Sequence, residues 1–272
     1  PGNKPGDKPA EETPCLNQAF TETSGLTYKV TAYSATNKSV TVTGANKQLT
    51  SIVIPDTLVY RKETFKVTAI GDSAFANQKS LTSVTIGKNV TAIGAKAFVN
   101  AKNLKKITFQ GTAVKTIGKD AFKNINKKAT FTMPKNFTSK NLKYKITKCT
   151  ASVKEVALTG AAKKKLTTLN VPATVKYNGM TFKVTSVGKK AFRKQAKLKS
   201  VTIGKNVKSI GASAFEGDKQ LAKIKFSGTA IKSIGKNAFK GIKKNAKFTV
   251  KKSKKAYYKK LLKKAKTKNF KI

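Results

Sequence analysis

The chain has 272 residues, 39% of them hydrophobic, which is enough apolar content for a sizeable core, and its 58 Lys and Arg against 11 Asp and Glu leave a formal net charge of +47. Histidine is absent and cysteine occurs twice. That excludes the ordinary Ser–His or Cys–His pair and the usual four-ligand zinc site, so neither a catalyst nor a metal or other cofactor is expected.

Residues 1–14 carry four of the seven prolines and no aliphatic side chain larger than Ala, and residues 1–25 read as an extended N-terminal spacer. Alternating apolar residues then predict a strand pair at 28–31 and 40–43. From Leu49 onward one signature recurs six times: Leu81-x-x-Val84-x-Ile86-x-x-Asn89, with the other copies beginning at Leu49, Leu104, Leu166, Leu198 and Leu221. The last position is always Asn or Thr, a side chain able to bond backbone groups that a tight turn leaves unpaired.

Downstream of each copy lies Ile-Gly-x-x-Ala-Phe, with Val for Ile once, and its glycines are Gly71, Gly94, Gly118, Gly188, Gly211 and Gly235. The steps are 23, 24, 70, 23 and 24 residues, and each glycine of the first trio has a twin 117 residues later. The chain is therefore read as two three-repeat modules, 26–142 and 143–272, and the absence of a Gly/Ser/Pro linker favours one continuous solenoid. The first repeat of each module is longer, which predicts a hairpin near 60–65 and 177–182, the latter with Asn178-Gly179 as its turn. A second strand pair is expected at 144–147 and 156–159.

One repeat holds too few apolar side chains to offset the entropy of ordering its backbone, so stacked neighbours must complete its core. The motif glycines are expected to permit a left-handed or crowded turn, and the Ala before each Phe to admit close packing between coils. Residues 257–264 read as a short amphipathic helix that closes the apolar end of the stack rather than lying on a membrane.

The spacing Leu-x-x-Leu-x-Leu-x-x-Asn is that of leucine-rich repeats. With Ile-Gly-x-x-Ala-Phe downstream, the chain resembles the BspA-like bacterial leucine-rich repeat family over residues 26–262. The resemblance implies a β-rich, right-handed solenoid with a parallel β-sheet on its concave face and short turns or helical segments on the convex side. It further implies a non-enzymatic, secreted or cell-surface protein of a host-associated bacterium, acting in adhesion or in protein or glycan binding. The sequence has no signal peptide and no apolar run long enough to span a membrane; opening at Pro1, it reads as trimmed, so the absence of a signal here says little about export.

Residues flanking the buried pair of each strand should point outward and form the candidate binding face: Ser83, Thr85, Thr108, Gln110, Thr168, Asn170, Ser200, Thr202, Lys223 and Lys225. The alternative reading is a cationic module. Residues 26–142 carry 19 basic and 4 acidic residues, whereas residues 143–272 carry 37 and 3. Lys251, Lys252, Lys254, Lys255, Lys259, Lys260, Lys263 and Lys264 are the candidate polyanion contacts, with wall teichoic acid, host glycosaminoglycan, sialylated mucin, lipopolysaccharide or nucleic acid as possible ligands. Nucleic acid is the weakest of these, because Arg61 and Arg193 are the only arginines and there is no Trp. The same lysines also serve solubility.

The folded part holds seven acids, of which only Glu216 and Asp218 are neighbours in sequence; they read as a solvated turn rather than a cation site. Cys15 and Cys149 are read as free thiols rather than a bridge.

Overall fold

The computed structural model describes residues 13–46, 48–163 and 166–272. Most of the expected N-terminal spacer, residues 1–12, lies outside these, as do Lys47, Lys164 and Lys165. The chain forms two compact units: one extends to Met133 and takes in Thr150–Ser152, the other comprises Pro134–Cys149 and Val153–Ile272.

Each unit is a stretch of β-solenoid whose coils contribute to two sheets. In the first unit the Leu-x-x-Val-x-Ile segments become Ser51–Ile54, Ser83–Ile86, Lys106–Phe109 and Thr130–Thr132, all parallel and in register. The second unit repeats this with Thr168–Val171, Ser200–Ile203, Lys223–Phe226 and Ala246–Thr249, and adds a last parallel strand, Phe270–Lys271. Alternation fixes which side faces the core: Val84, Ile86, Ile107, Val201, Ile203 and Ile224 are all at most 1% exposed, while the residues between them face out.

The Ile-Gly segments build the other sheet. Glu63–Ile70 leads to Ala92–Ile93 and Thr116–Ile117, and Met180–Val187 leads to Ser209–Ile210 and Ser233–Ile234. The antiparallel pairs expected at its head are present as Leu26–Tyr33 with Lys38–Ala45 and as Leu142–Cys149 with Lys154–Ala161. The extra length of each first repeat forms the hairpins Thr57–Tyr60 with Glu63–Ile70 and Thr174–Tyr177 with Met180–Val187.

Inside the expected spacer, Ala19–Thr21 pairs antiparallel with Leu26–Tyr33, because Phe20 stacks on Tyr60 with centroids 3.8 Å apart. The second unit has the same cap: Asn136–Ser139 pairs with Leu142–Cys149, and Phe137 stacks on Tyr177 at 3.9 Å. Short aromatic residues in otherwise polar stretches carry both caps, which is why strand patterning did not show them.

Along the turns, the motif phenylalanines form columns. Phe75, Phe98 and Phe122 stack at 5.3 and 5.2 Å, and Phe192, Phe215 and Phe239 at 5.6 and 5.2 Å. Each column ends on an edge-to-face ring, Phe131 or Phe248, in the geometry that aromatic quadrupoles prefer. Backbone amides link coil to coil here: Phe192 N donates to Ala214 O and Phe215 N to Ala238 O, both 2.8 Å.

The glycines are crowded rather than left-handed. A Cβ on Gly94, Gly118, Gly211 or Gly235 would lie 2.4–2.5 Å from a backbone nitrogen of the preceding coil. Gly71 and Gly188, on the first coil of each motif trio, have more room, with nearest atoms at 3.1 and 3.3 Å. Positive φ falls instead two and six residues after each glycine, at Lys190 and Lys194, Ser213 and Gly217, Asn237 and Gly241, and likewise in the first unit. Asn or Gly fills five of the six later positions, as the left-handed region favours. In the first unit those asparagines form a ladder, Asn124 Nδ2 donating to Asn100 Oδ1 and Asn100 Nδ2 to Asn77 Oδ1, at 2.9 and 3.0 Å.

Where the recurrent polar position is Asn, it works as expected: Asn89 Nδ2 donates to Asp56 O and Asn206 Nδ2 to Ala173 O, each a carbonyl of the preceding coil. The C-terminal segment is a helix, Lys255–Lys264, that buries Tyr258 and Leu262 one turn apart. Tyr258 meets Phe226 edge-on at 5.3 Å and its hydroxyl donates to Gly228 O at 3.3 Å. Tyr258→Phe keeps the ring and removes the bond, so urea denaturation should show a loss of about 1 kcal/mol; no change would mean that ring packing alone holds the helix.

Candidate functional site

In-register stacking turns the outward residues of single strands into rows that run across the sheets. In the first unit the rows are Ser51, Ser83, Lys106, Thr130 and Val53, Thr85, Thr108, Thr132. In the second they are Thr168, Ser200, Lys223, Lys247, Lys271 and Asn170, Thr202, Lys225, Thr249. The ten predicted residues thus fall in two patches, one per unit. Ser83, Thr85, Thr108, Ser200 and Thr202 are half-buried between neighbouring side chains; Thr168, Asn170, Lys223 and Lys225 are exposed. Gln110 is exposed but lies just past the end of its strand, its amide bonded to Ile86 O.

The eight predicted polyanion contacts are all exposed. Lys255, Lys259 and Lys263 share one side of the helix and line a groove with Lys271 of the last strand. Lys251, Lys252, Lys254, Lys260 and Lys264 do not line it. Lys247 and Lys271 were missed as outward residues. The signal was available, since 223, 247 and 271 are 24 residues apart, one repeat period.

Acidic side chains are spent on structure. Asp56 accepts from the Lys88 amide at 2.6 Å and pairs with Lys88 Nζ at 2.8 Å, contacts that hold its carboxyl below the usual carboxylate range. Asp72 accepts from Ala95 N at 2.7 Å. Glu63 pairs with Lys38 and Asp120 with Lys123. In the second unit Glu155 pairs with Lys208 at 2.7 Å and Glu216 with Arg193 at 3.0 Å.

Asp218 corrects the expectation of a solvated Glu216-x-Asp218 turn: it is 0% exposed and parts company with Glu216. Its Oδ1 accepts from Gln195 N at 2.7 Å, while Oδ2 is buried with no donor among the described residues, and burial pushes its pKa up to about 7. The residue occupies a coil position held elsewhere by Gln78, Ala101, Ile125, Gln195 and Ile242, of which Gln78, Ala101 and Ile125 are buried.

Both cysteines are free. Burial pushes the Cys149 thiol up to about 11, against the opposing pull of the Lys154 ammonium, so it is protonated and unreactive at neutral pH. Among the described residues no group of three or more His, Cys, Asp or Glu could hold a metal ion. None of their helices is long and apolar enough to cross a membrane.

Parallel, in-register coils with a leucine-type signature and an outward polar face define a leucine-rich repeat solenoid. More narrowly, the chain belongs to the BspA type leucine rich repeat region family, whose model matches residues 43–163 and 162–272 in 6 copies. No curated protein matches it in sequence. Among solved structures it is similar to a leucine rich cell surface protein from Faecalibacterium prausnitzii A2-165, with 18% identity over 90% of this chain and 97% of that one and a TM-score of 0.33. It is also similar to the leucine rich repeat protein of T. pallidum, with 16% identity over 89% and 95% and a TM-score of 0.35. A third likeness is to the pneumococcal vaccine antigen PcpA, with 14% identity over 94% and 99% and a TM-score of 0.32.

Proposed function

We propose that this protein is a non-enzymatic binding module, secreted or displayed at the surface of a host-associated bacterium, which adheres to a surface protein or glycan through the outward rows of its repeat sheets. The observation that carries this reading is the division of labour among side chains. Most apolar residues and nearly all the carboxylates are committed to holding the coils together, whereas the rows, which are Ser, Thr, Asn and Lys apart from the exposed Val53, face out. Rigid, regularly spaced rows lower the ordering cost of binding an extended partner.

The test is adhesion of the purified chain to immobilised extracellular-matrix proteins and glycans. Tyr in place of Thr132, Thr168 and Asn170, all exposed, should keep the fold, since Tyr is a good strand former, yet lower binding about tenfold by disrupting surface fit. Unchanged adhesion by the triple variant would place the contact elsewhere on the chain and overturn the assignment to these rows.

A further inference from the structure

The row containing Lys223, Lys247 and Lys271 is electrostatically unlike the rest of both sheets. These lysines are direct register partners on three adjacent parallel strands, all exposed, so their stems rise from backbones about 4.8 Å apart. The matching row of the first unit holds a single lysine, Lys106. Like charges placed opposite each other destabilise a sheet, and the helix row Lys255, Lys259, Lys263 repeats the repulsion at i, i+4 spacing. None of the unit's three acidic side chains is free to relieve it: Glu155 is paired with Lys208, Glu216 with Arg193, and Asp218 is buried. Lys271 belongs to both rows, closing the lysine ladder on one side and lining the helix groove on the other. The six ammonium groups therefore make one track across the end of the sheet.

We propose that this track, Lys223–Lys247–Lys271 continued by Lys255, Lys259 and Lys263, binds a linear sulfated polysaccharide laid across the strands. Three features select that chemistry. The repeat of cations matches the length one pyranose unit adds to a polysaccharide chain, so successive sugars can each present a sulfate to a lysine. The ladder continues into Ser200 and Thr168 in the same row, with Thr249 and Thr202 in the next, groups that exchange hydrogen bonds with sugar hydroxyls. Finally, the track has no arginine, and its one aromatic, Phe270, is half-buried and meets Phe248 edge-to-face, so it offers no stacking platform of the kind single-stranded nucleic acid uses.

The inference rests on the reading that outward rows bind partners, and the experiment separates the two. Heparin oligosaccharide is titrated into the full chain by calorimetry at about 0.05 M and about 0.5 M salt, with desulfated heparin and oligo-dT of equal length as competitors. The expected result is binding that weakens at least about tenfold at high salt, and that K223Q/K247Q/K271Q weakens about tenfold at low salt. K176Q/K183Q/K189Q removes the same charge from exposed positions away from the track and should change affinity less than about twofold. Equal losses in the two variants, or oligo-dT competing as well as heparin, would show a diffuse cationic field and overturn the site. No heparin binding, with adhesion to other surfaces intact, overturns the track and leaves the broader reading standing. Loss of both overturns both.

Discussion

Gly211→Ala should cost about 3 kcal/mol or more of stability, while Gly188→Ala, the same motif position one coil earlier, should cost less than about 1. Neither glycine has positive φ, so alanine is acceptable to the backbone at both. What differs is the neighbouring coil. A methyl on Gly211 would sit 2.5 Å from Lys189 N and 2.6 Å from Gly188 C, rigid backbone that cannot swing aside; on Gly188 the nearest atom is Leu158 O at 3.3 Å. Relieving the first clash means separating two coils, which breaks Gly211 N to Val187 O and loosens the Phe192–Phe215 stack. Urea denaturation of both variants at fixed salt gives the comparison. Equal losses would show that the glycines serve conformational freedom and not close approach.

Asp218→Asn should stabilise the protein, and by an amount that depends on pH. The folded carboxyl, at about 7, holds its proton where the unfolded one, near the ordinary value, has released it. Between roughly pH 4 and pH 7 the unfolded state therefore binds fewer protons, and stability falls as pH rises. The asparagine, neutral throughout, escapes this fall. Its advantage should be absent near pH 3.5 and grow to a plateau above pH 7 of up to about 4 kcal/mol, the energy equivalent of the change to about 7. Asparagine can still accept the Gln195 amide, so that bond is not the source of the difference. Denaturation midpoints of the two proteins across pH 3.5–8 decide the matter; a constant offset would mean that the Asp218 carboxyl is as readily ionised folded as unfolded.

Much of the fold was legible because a solenoid repeats its physics. Each coil must bury the same face against the same kind of neighbour, so Leu81, Val84, Ile86, Ile93 and Phe98 recur at a fixed period and mark strands and turns without knowledge of the rest. The end elements were harder. Ala19–Thr21, Asn136–Ser139 and Phe270–Lys271 lack the leucine-type signature, although Phe20 and Phe137 lie one 117-residue step apart and Lys247 and Lys271 one 24-residue step, and they exist because a partner ring or strand edge is there to receive them.

Similar reasoning separates the parts of the candidate site. That Thr168, Ser200 and Lys223 face outward follows from alternation alone; that Lys223 lies beside Lys247 and Lys271 follows from register, which depends on how coils stack. The sequence by itself determined the period, the buried face, the class of fold and the lopsided charge, all properties of local pattern and composition. Only the tertiary structure decided that Asp218 is buried while Glu216 meets Arg193, that the glycines answer to crowding, and that the lysine ladder is continued along one side of a helix. Those facts depend on distances between residues about one coil apart in the chain, and such distances exist only once the coils have stacked.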